Sequence, residues 1–286
     1  MLLAAAGYQS NWIEILQSSF MHNAFIGGSL VAVASGMIGY FVVVRERAFA
    51  AHALAHIGFP GATGAVLVGA PVTLGLAVFC IAGGLAIGLL GEKAVQREVA
   101  TGTILAFATG LGVLFASLTT RASSEVTNVL FGNLLAISNG QILVFAGFVV
   151  SLAVVLAVIA RPLTFASVDP PVAAARGVPV RVLGTVFLVL LALVVTMAVQ
   201  VVGTLLLFAL VVTPSATALA ITARPARVAV LGGAVGLASV WVGLVLAAMF
   251  NLPPSFFIVT VSFAVWLVVR TVTTLRERRA PSARPA

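Results

Sequence analysis

Apolar residues run through this chain in long blocks broken by short polar stretches. Nine blocks can be marked, at about 24–44, 53–71, 73–91, 101–119, 141–160, 181–201, 202–222, 228–249 and 256–273. A helix needs about 20 apolar residues, at about 1.5 Å rise each, to cross the hydrocarbon core of a bilayer. The pattern therefore predicts an all-α integral membrane protein, a bundle of eight to nine transmembrane helices. The count turns on one junction. At Val202–Gly203 no polar loop separates two blocks. A broken or re-entrant helix is the alternative to two spans there, because irregular backbone at membrane depth persists only when buried in protein or lining a cavity.

Inside the blocks, small residues predict close helix packing. Gly84 and Gly88, and again Gly232 and Gly236, stand four apart and so share a helix face. Pro214 lies within an apolar block, where it removes a helical hydrogen bond and is expected to kink the helix.

Composition removes the alternative of a soluble fold. Hydrophobic residues make up 62% of the 286 and charged residues 8%, whereas a soluble domain carries about 25% charged residues. A net charge of +8 would suggest nucleic acid in a soluble protein, but here the basic residues sit at the ends of apolar blocks. That placement follows the positive-inside rule instead. With Arg45 and Arg47 cytoplasmic, alternation through nine spans leaves only Arg121 of the 15 Lys and Arg residues outside. The N-terminus is then outside and the C-terminus cytoplasmic. Residues 1–275 read as one membrane domain and 276–286 as a basic, proline-containing tail expected to be disordered at the membrane surface. The start of the chain has no basic n-region and short apolar run of a cleaved leader, so insertion is expected through the spans themselves. The single cysteine, Cys80, rules out a disulfide framework and a thiolate metal cluster.

Candidate chemistry is sparse. Of seven acidic residues, Glu46, Glu92, Glu98, Glu125, Asp169 and Glu277 fall between the blocks or beyond them. No phosphate loop, H-E-x-x-H or G-x-S-x-G sequence occurs, and Gly110-Leu-Gly112 lies inside a span rather than opening a βα unit. The chain is thus expected to be no enzyme and to hydrolyse no ATP by itself. His22 reads as an exposed interfacial histidine. His52 and His56 differ, because four residues apart on a helix they share one face. Two imidazoles so placed can ligate one transition metal; the alternative is a pair of interfacial histidines satisfied by water or headgroups. The segment after block five also has local sense. Asp169 can cap a short helix with Pro170 at its first position, Ala173–Ala175 favour helix, and Gly177 can end it.

With these residues in hand, the chain resembles the permease subunits of zinc/manganese-type ABC importers, from about Phe25 to about Thr271. That family commonly shows a basic pair, a small and apolar run, Asp-x-Leu-Ser-His and then Pro-Gly. Here the run is His52-Ala-Leu-Ala-His56 followed by Pro60-Gly61. Further matches are Leu130-Phe-Gly-Asn-Leu-Leu135, Asp169-Pro-Pro-Val-Ala-Ala-Ala-Arg-Gly177, Val202-Gly-Thr-Leu-Leu206 leading to Pro214-Ser-Ala-Thr-Ala218, and Leu252-Pro-Pro254. The resemblance implies a homodimeric pore with the fold of the vitamin B12 and siderophore importers. It also implies cytoplasmic ATPase subunits, an extracytoplasmic solute-binding protein and a transported divalent metal rather than a resident cofactor. It assigns the ATPase-coupling segment to Asp169, Pro170, Ala173, Ala174, Arg176 and Gly177. His56 carries over as a metal ligand, while His52 occupies the position of the family's aspartate. An imidazole in place of a carboxylate softens the ligand set and shifts the expected cargo from manganese toward zinc, with iron or a metal chelate as further candidates. An ion-gradient-driven transporter and a non-transporting scaffold are the competing classes.

Overall fold

The computed structural model describes residues 11–90, 94–118 and 122–279. Among these the chain forms α-helices and one short 3-10 turn, with no strand. The helices are α1 (Trp12–Leu16), α2 (Ser19–Val44), α3 (Ala48–Val68), α4 (Val72–Leu90), α5 (Ala94–Ser117) and α6 (Ala122–Phe131). After the turn at Leu134–Ala136 come α7 (Asn139–Val168), α8 (Pro170–Ala175), α9 (Val180–Val211), α10 (Thr213–Leu219), α11 (Pro225–Phe250) and α12 (Pro254–Arg279). Eight of them, α2–α5, α7, α9, α11 and α12, are long and apolar enough to cross a membrane. The expected bundle of eight to nine helices is what the chain forms.

The ambiguous junction resolves into a break. Gly203 interrupts α9 with φ 80 and ψ 171, a conformation open essentially to glycine alone. Beyond it, a shorter apolar helical stretch, Leu206–Leu219, returns toward the end of the bundle from which α9 came. Fourteen residues make only ~21 Å of helix, short of the ~30 Å core. Pro214 stands two residues past Val212, where the stretch Leu206–Leu219 is interrupted between α9 and α10, as expected of a proline that removes a helical N–H.

Two ends of the bundle follow from the contacts. At one end lie Arg45, Arg47 and Glu98, lining a common cleft, and Arg161 and Pro225, lining another. At the opposite end Thr73, Gln141 and Gln200 are joined by hydrogen bonds, and Ser255 Oγ donates to the Phe131 carbonyl (3.1 Å). Arg121 lies outside the described residues, as do Lys93 and residues 280–286 of the basic tail; α12 itself continues to Arg279. Hydropathy underestimates several helices at the basic end. The connection drawn at 161–180 is helical to Val168, through Pro162, and Glu98 lies within α5 rather than in a loop.

Helices α2, α3 and α9 are the most buried, whereas α5, α7 and α12 bury little and show apolar side chains outward. The glycine pairs serve contact. Gly84 and Gly88 face α9, where a Cβ would come within 2.9 Å of the Leu188 oxygen and 3.0 Å of Thr185 Oγ1. Gly232 and Gly236 face Ser215 of α10 and Ala32 of α2. Helices α2 and α11 meet with Gly36 against Gly233, so closely that a Cβ on Gly36 would lie 2.5 Å from the Gly233 Cα.

Candidate metal path and docking helix

Helix α3 starts from the tight turn Arg45–Arg47, in which Glu46 takes φ 55. Its face carrying Ala51, Leu54, Ala55 and Gly58 is buried in the bundle. His52 and His56 stand on an adjoining, half-buried face, with ring centroids 4.7 Å apart and planes at 74°. Helical spacing thus brings both rings within reach of one ion, given Zn–N bonds of about 2.0–2.1 Å. Pro60, one turn further on, has no N–H, so the His56 carbonyl loses the partner four residues along. Above it Thr63 Oγ1 donates to the Phe59 carbonyl (3.1 Å), tying the helix at the proline. Among the described residues no third His, Cys, Asp or Glu joins the pair. A tetrahedral site takes four ligands, of which a pair can furnish two.

His22 lies in the first turn of α2, exposed, far along the chain from the pair and beside Phe25 and Trp241. Glu92 lies outside the described residues, and nothing is described of the Glu125 side chain.

The segment read as a short capped helix has that structure. Asp169 Oδ1 accepts from the Val172 N–H (3.1 Å), Pro170 opens α8, and Gly177 follows it at φ 81. The Gly177 N–H donates to the Ala174 carbonyl and the Val178 N–H to the Ala173 carbonyl, both at 3.0 Å. This reciprocal pair is the Schellman ending, and it requires the left-handed residue that glycine supplies. Only Ala173 is buried; Val172, Ala174, Ala175 and Arg176 are exposed. Helix α8 therefore projects from the basic end, held by one alanine and offering the rest.

Arg45 connects the two features. Its Nη1 donates to Ser167 Oγ (3.4 Å), two residues before the cap of α8, and its guanidinium carbon lies 5.3 Å from the Phe187 ring centroid on α9. The turn that launches the histidine helix thus touches both helices flanking α8.

At the opposite end the structure holds a polar cluster that hydropathy does not reveal. Gln200 Oε1 accepts from Thr73 Oγ1 (2.7 Å) and Gln141 Nε2 (3.0 Å), while its Nε2 donates to the Thr196 carbonyl (2.9 Å). Its carbonyl accepts from the Asn133 N–H (3.0 Å). Together with Asn128, these amides line a cavity of about 260 Å³. The one sequence signal was Gln200 itself, a polar residue at the seam of two apolar blocks. Replacing it with leucine is expected to lower the stability of the purified protein by about 1–2 kcal/mol, since interhelical polar contacts in membranes run near that scale. Thermal unfolding checks it, and an unchanged midpoint refutes the bridging role.

Comparison with known proteins accords with this architecture. The model of the ABC 3 transport family matches residues 17–273. The chain is 30% identical over 258 residues to the manganese transport system membrane protein MntC of Listeria monocytogenes, covering 89% of this chain and 91% of that one. It is 27% identical over 250 residues to the manganese import system permease protein ScaB of Streptococcus gordonii, covering 87% and 90%. Among solved structures, PsaBC from Streptococcus pneumoniae in complex with Fab superposes at TM-score 0.81 with 26% identity, over 91% of this chain and 94% of that one. A metal-chelate type ABC transporter in an inward-facing conformation shares the fold, at TM-score 0.65 and 17% identity over 88% and 86%.

Proposed function

We propose a function from one premise: the chain belongs to the ABC 3 transport family. It is a membrane permease subunit, a pore component and not an enzyme. In our reading two copies form the pathway of an ATP-driven importer for a divalent transition metal, zinc before manganese. The N-terminus is outside and the basic end cytoplasmic, as the positive-inside rule requires. One observation carries this reading: the His52–His56 pair on a half-buried face supplies two ligands of a site that takes four. A second copy related by two-fold symmetry brings the other two.

The relatives' names favour manganese; the ligand chemistry favours zinc, because imidazole is a softer donor than the carboxylate that manganese prefers. A site of neutral ligands also binds a divalent ion less tightly in a low-dielectric pathway, which suits release. Helix α8 is the dock for the cytoplasmic ATPase. The opposite end receives metal from a solute-binding protein.

Reconstitution of the protein with its ATPase, followed by uptake of zinc, manganese and iron into vesicles, tests the proposal. ATP-dependent zinc uptake exceeding manganese uptake supports it. Uptake driven by an ion gradient without an ATPase overturns it in favour of a secondary transporter. The dock has its own test. Ala174→Glu with Arg176→Glu is expected to weaken ATPase co-purification about tenfold or more, on the scale of interface hot spots, with the permease still inserted. Undiminished co-purification removes α8 from that role.

A further inference from the structure

Helix α2 packs against α7 on one side and α11 on the other, while α7 and α11 stand apart. The gap between them is a groove of about 750 Å³ opening on the surface of the bundle. Ala153, Ala157, Ala160 and Thr164 line it from α7, and Ala226 and Ala229 from α11. These side chains are short, and Met37, Tyr40 and Phe41 of α2 line the groove between the two helices. Its α7 wall runs from Ala153 past Arg161 to Val168, and the apolar part before Arg161 is ~12 Å of helix, close to the depth of one leaflet of a ~30 Å hydrocarbon core.

Positive charge bounds the apolar part of the groove. Arg161 lines it, with a side chain that is exposed and makes no hydrogen bond or ion pair with any described residue. Arg224 immediately precedes Pro225 of the lining, and Arg227 follows Ala226; both are exposed. No acidic residue lines the groove. A guanidinium is a bidentate partner for phosphate, and basic clefts between membrane helices suit anionic headgroups. A free phosphate has no use for an apolar trough of this length.

We propose that this groove binds an anionic phospholipid, one acyl chain lying between α7 and α11 and the phosphate on Arg161, with Arg224 and Arg227 adding to the local positive field. The site is independent of the metal reading, since it requires only that the bundle sit in a membrane with its basic end at a leaflet surface.

The test uses the full chain in nanodiscs of phosphatidylglycerol and phosphatidylethanolamine, followed by transfer to mild detergent and native mass spectrometry of the lipid retained. Retention of phosphatidylglycerol over phosphatidylethanolamine is expected. Arg161→Gln, on an exposed side chain, is expected to cut that preference about five-fold, the factor one basic residue contributes at an anionic surface. Ala157→Phe fills the trough and is expected to lower retention of both lipids. Equal retention of the two lipids by the unmodified protein overturns the proposal. So does an unchanged preference in Arg161→Gln. Dissociation of a dimer by Ala157→Phe also overturns it, because the occupant is then a second copy of the chain.

Discussion

Replacing His56 with alanine is expected to reduce metal uptake at least ~10-fold, and toward background, with normal amounts of protein in the membrane. Loss of groups that merely orient metal ligands costs about 10–100-fold in affinity or activity, so loss of a ligand sets a larger effect. His56 is the ligand that the family resemblance implies and our reading proposes, and its ring lies 4.7 Å from that of His52. His52→Ala is expected to follow it. His52→Asp is the sharper variant, because it restores the family's carboxylate at this position. It is expected to retain transport and to move preference from zinc toward manganese, as harder oxygen donors do. His22→Ala, at the opposite end of α2 from the basic turn, serves as the control and should transport normally. Radiometal uptake with immunoblotting of the membrane fraction reads all four. Unchanged uptake in both alanine variants eliminates the histidine pair as part of the path.

Gly203→Ala is expected to abolish folded protein. At φ 80 and ψ 171 an L side chain is strained whatever space surrounds it. Here there is also no space: a Cβ would strike the Leu130 carbonyl oxygen and lie 2.5 Å from the Gly132 N. Gly132 is itself left-handed at φ 77, and its own Cβ would lie 2.5 Å from the Val201 oxygen. The two glycines cross backbone to backbone, so neither chain can yield to the other. Strain of about 1–3 kcal/mol plus the clash consumes much of a typical stability of about 5–15 kcal/mol. Gly147→Ala, on α7 with nothing within 4 Å of an added Cβ, should by contrast be neutral or slightly stabilising. Fluorescence-detected size-exclusion chromatography separates the two; a monodisperse peak at normal yield for Gly203→Ala refutes the crossing as a fixed point.

The helices were legible in sequence because each had to be apolar along its length, and that same property blurred their ends. Hydropathy reports where lipid stops, whereas a helix continues while its backbone bonds are satisfied. So α7 runs past Arg161 and Pro162 to Val168, and α5 starts well before its apolar block. The break at Gly203 was marked only as a missing loop, since the crossing glycine that forces it comes from residue 132, far away in sequence. The cap, proline and glycine of α8 could be read locally because every group in that motif lies within ten residues. The Gln200 cluster could not, because one polar residue at a seam does not name its partners, and these come from α4, α7 and Asn133 in the connection after α6, all distant in sequence. The histidine pair was visible through its spacing. No further candidate ligand accompanies it among the described residues.

The close contact of Gly36 with Gly233 sets an order in time. Helices α2 and α3 are among the first synthesised and among the most buried in the finished bundle. The partner that covers one face of α2, α11, emerges 197 residues after Gly36 (233 − 36), which at about 5–20 residues per second takes roughly 10–40 s. Through that interval the glycine and alanine face of α2 is met by lipid alone. This close seam therefore forms late, and a nascent chain halted before α11 leaves that face of α2 without its partner.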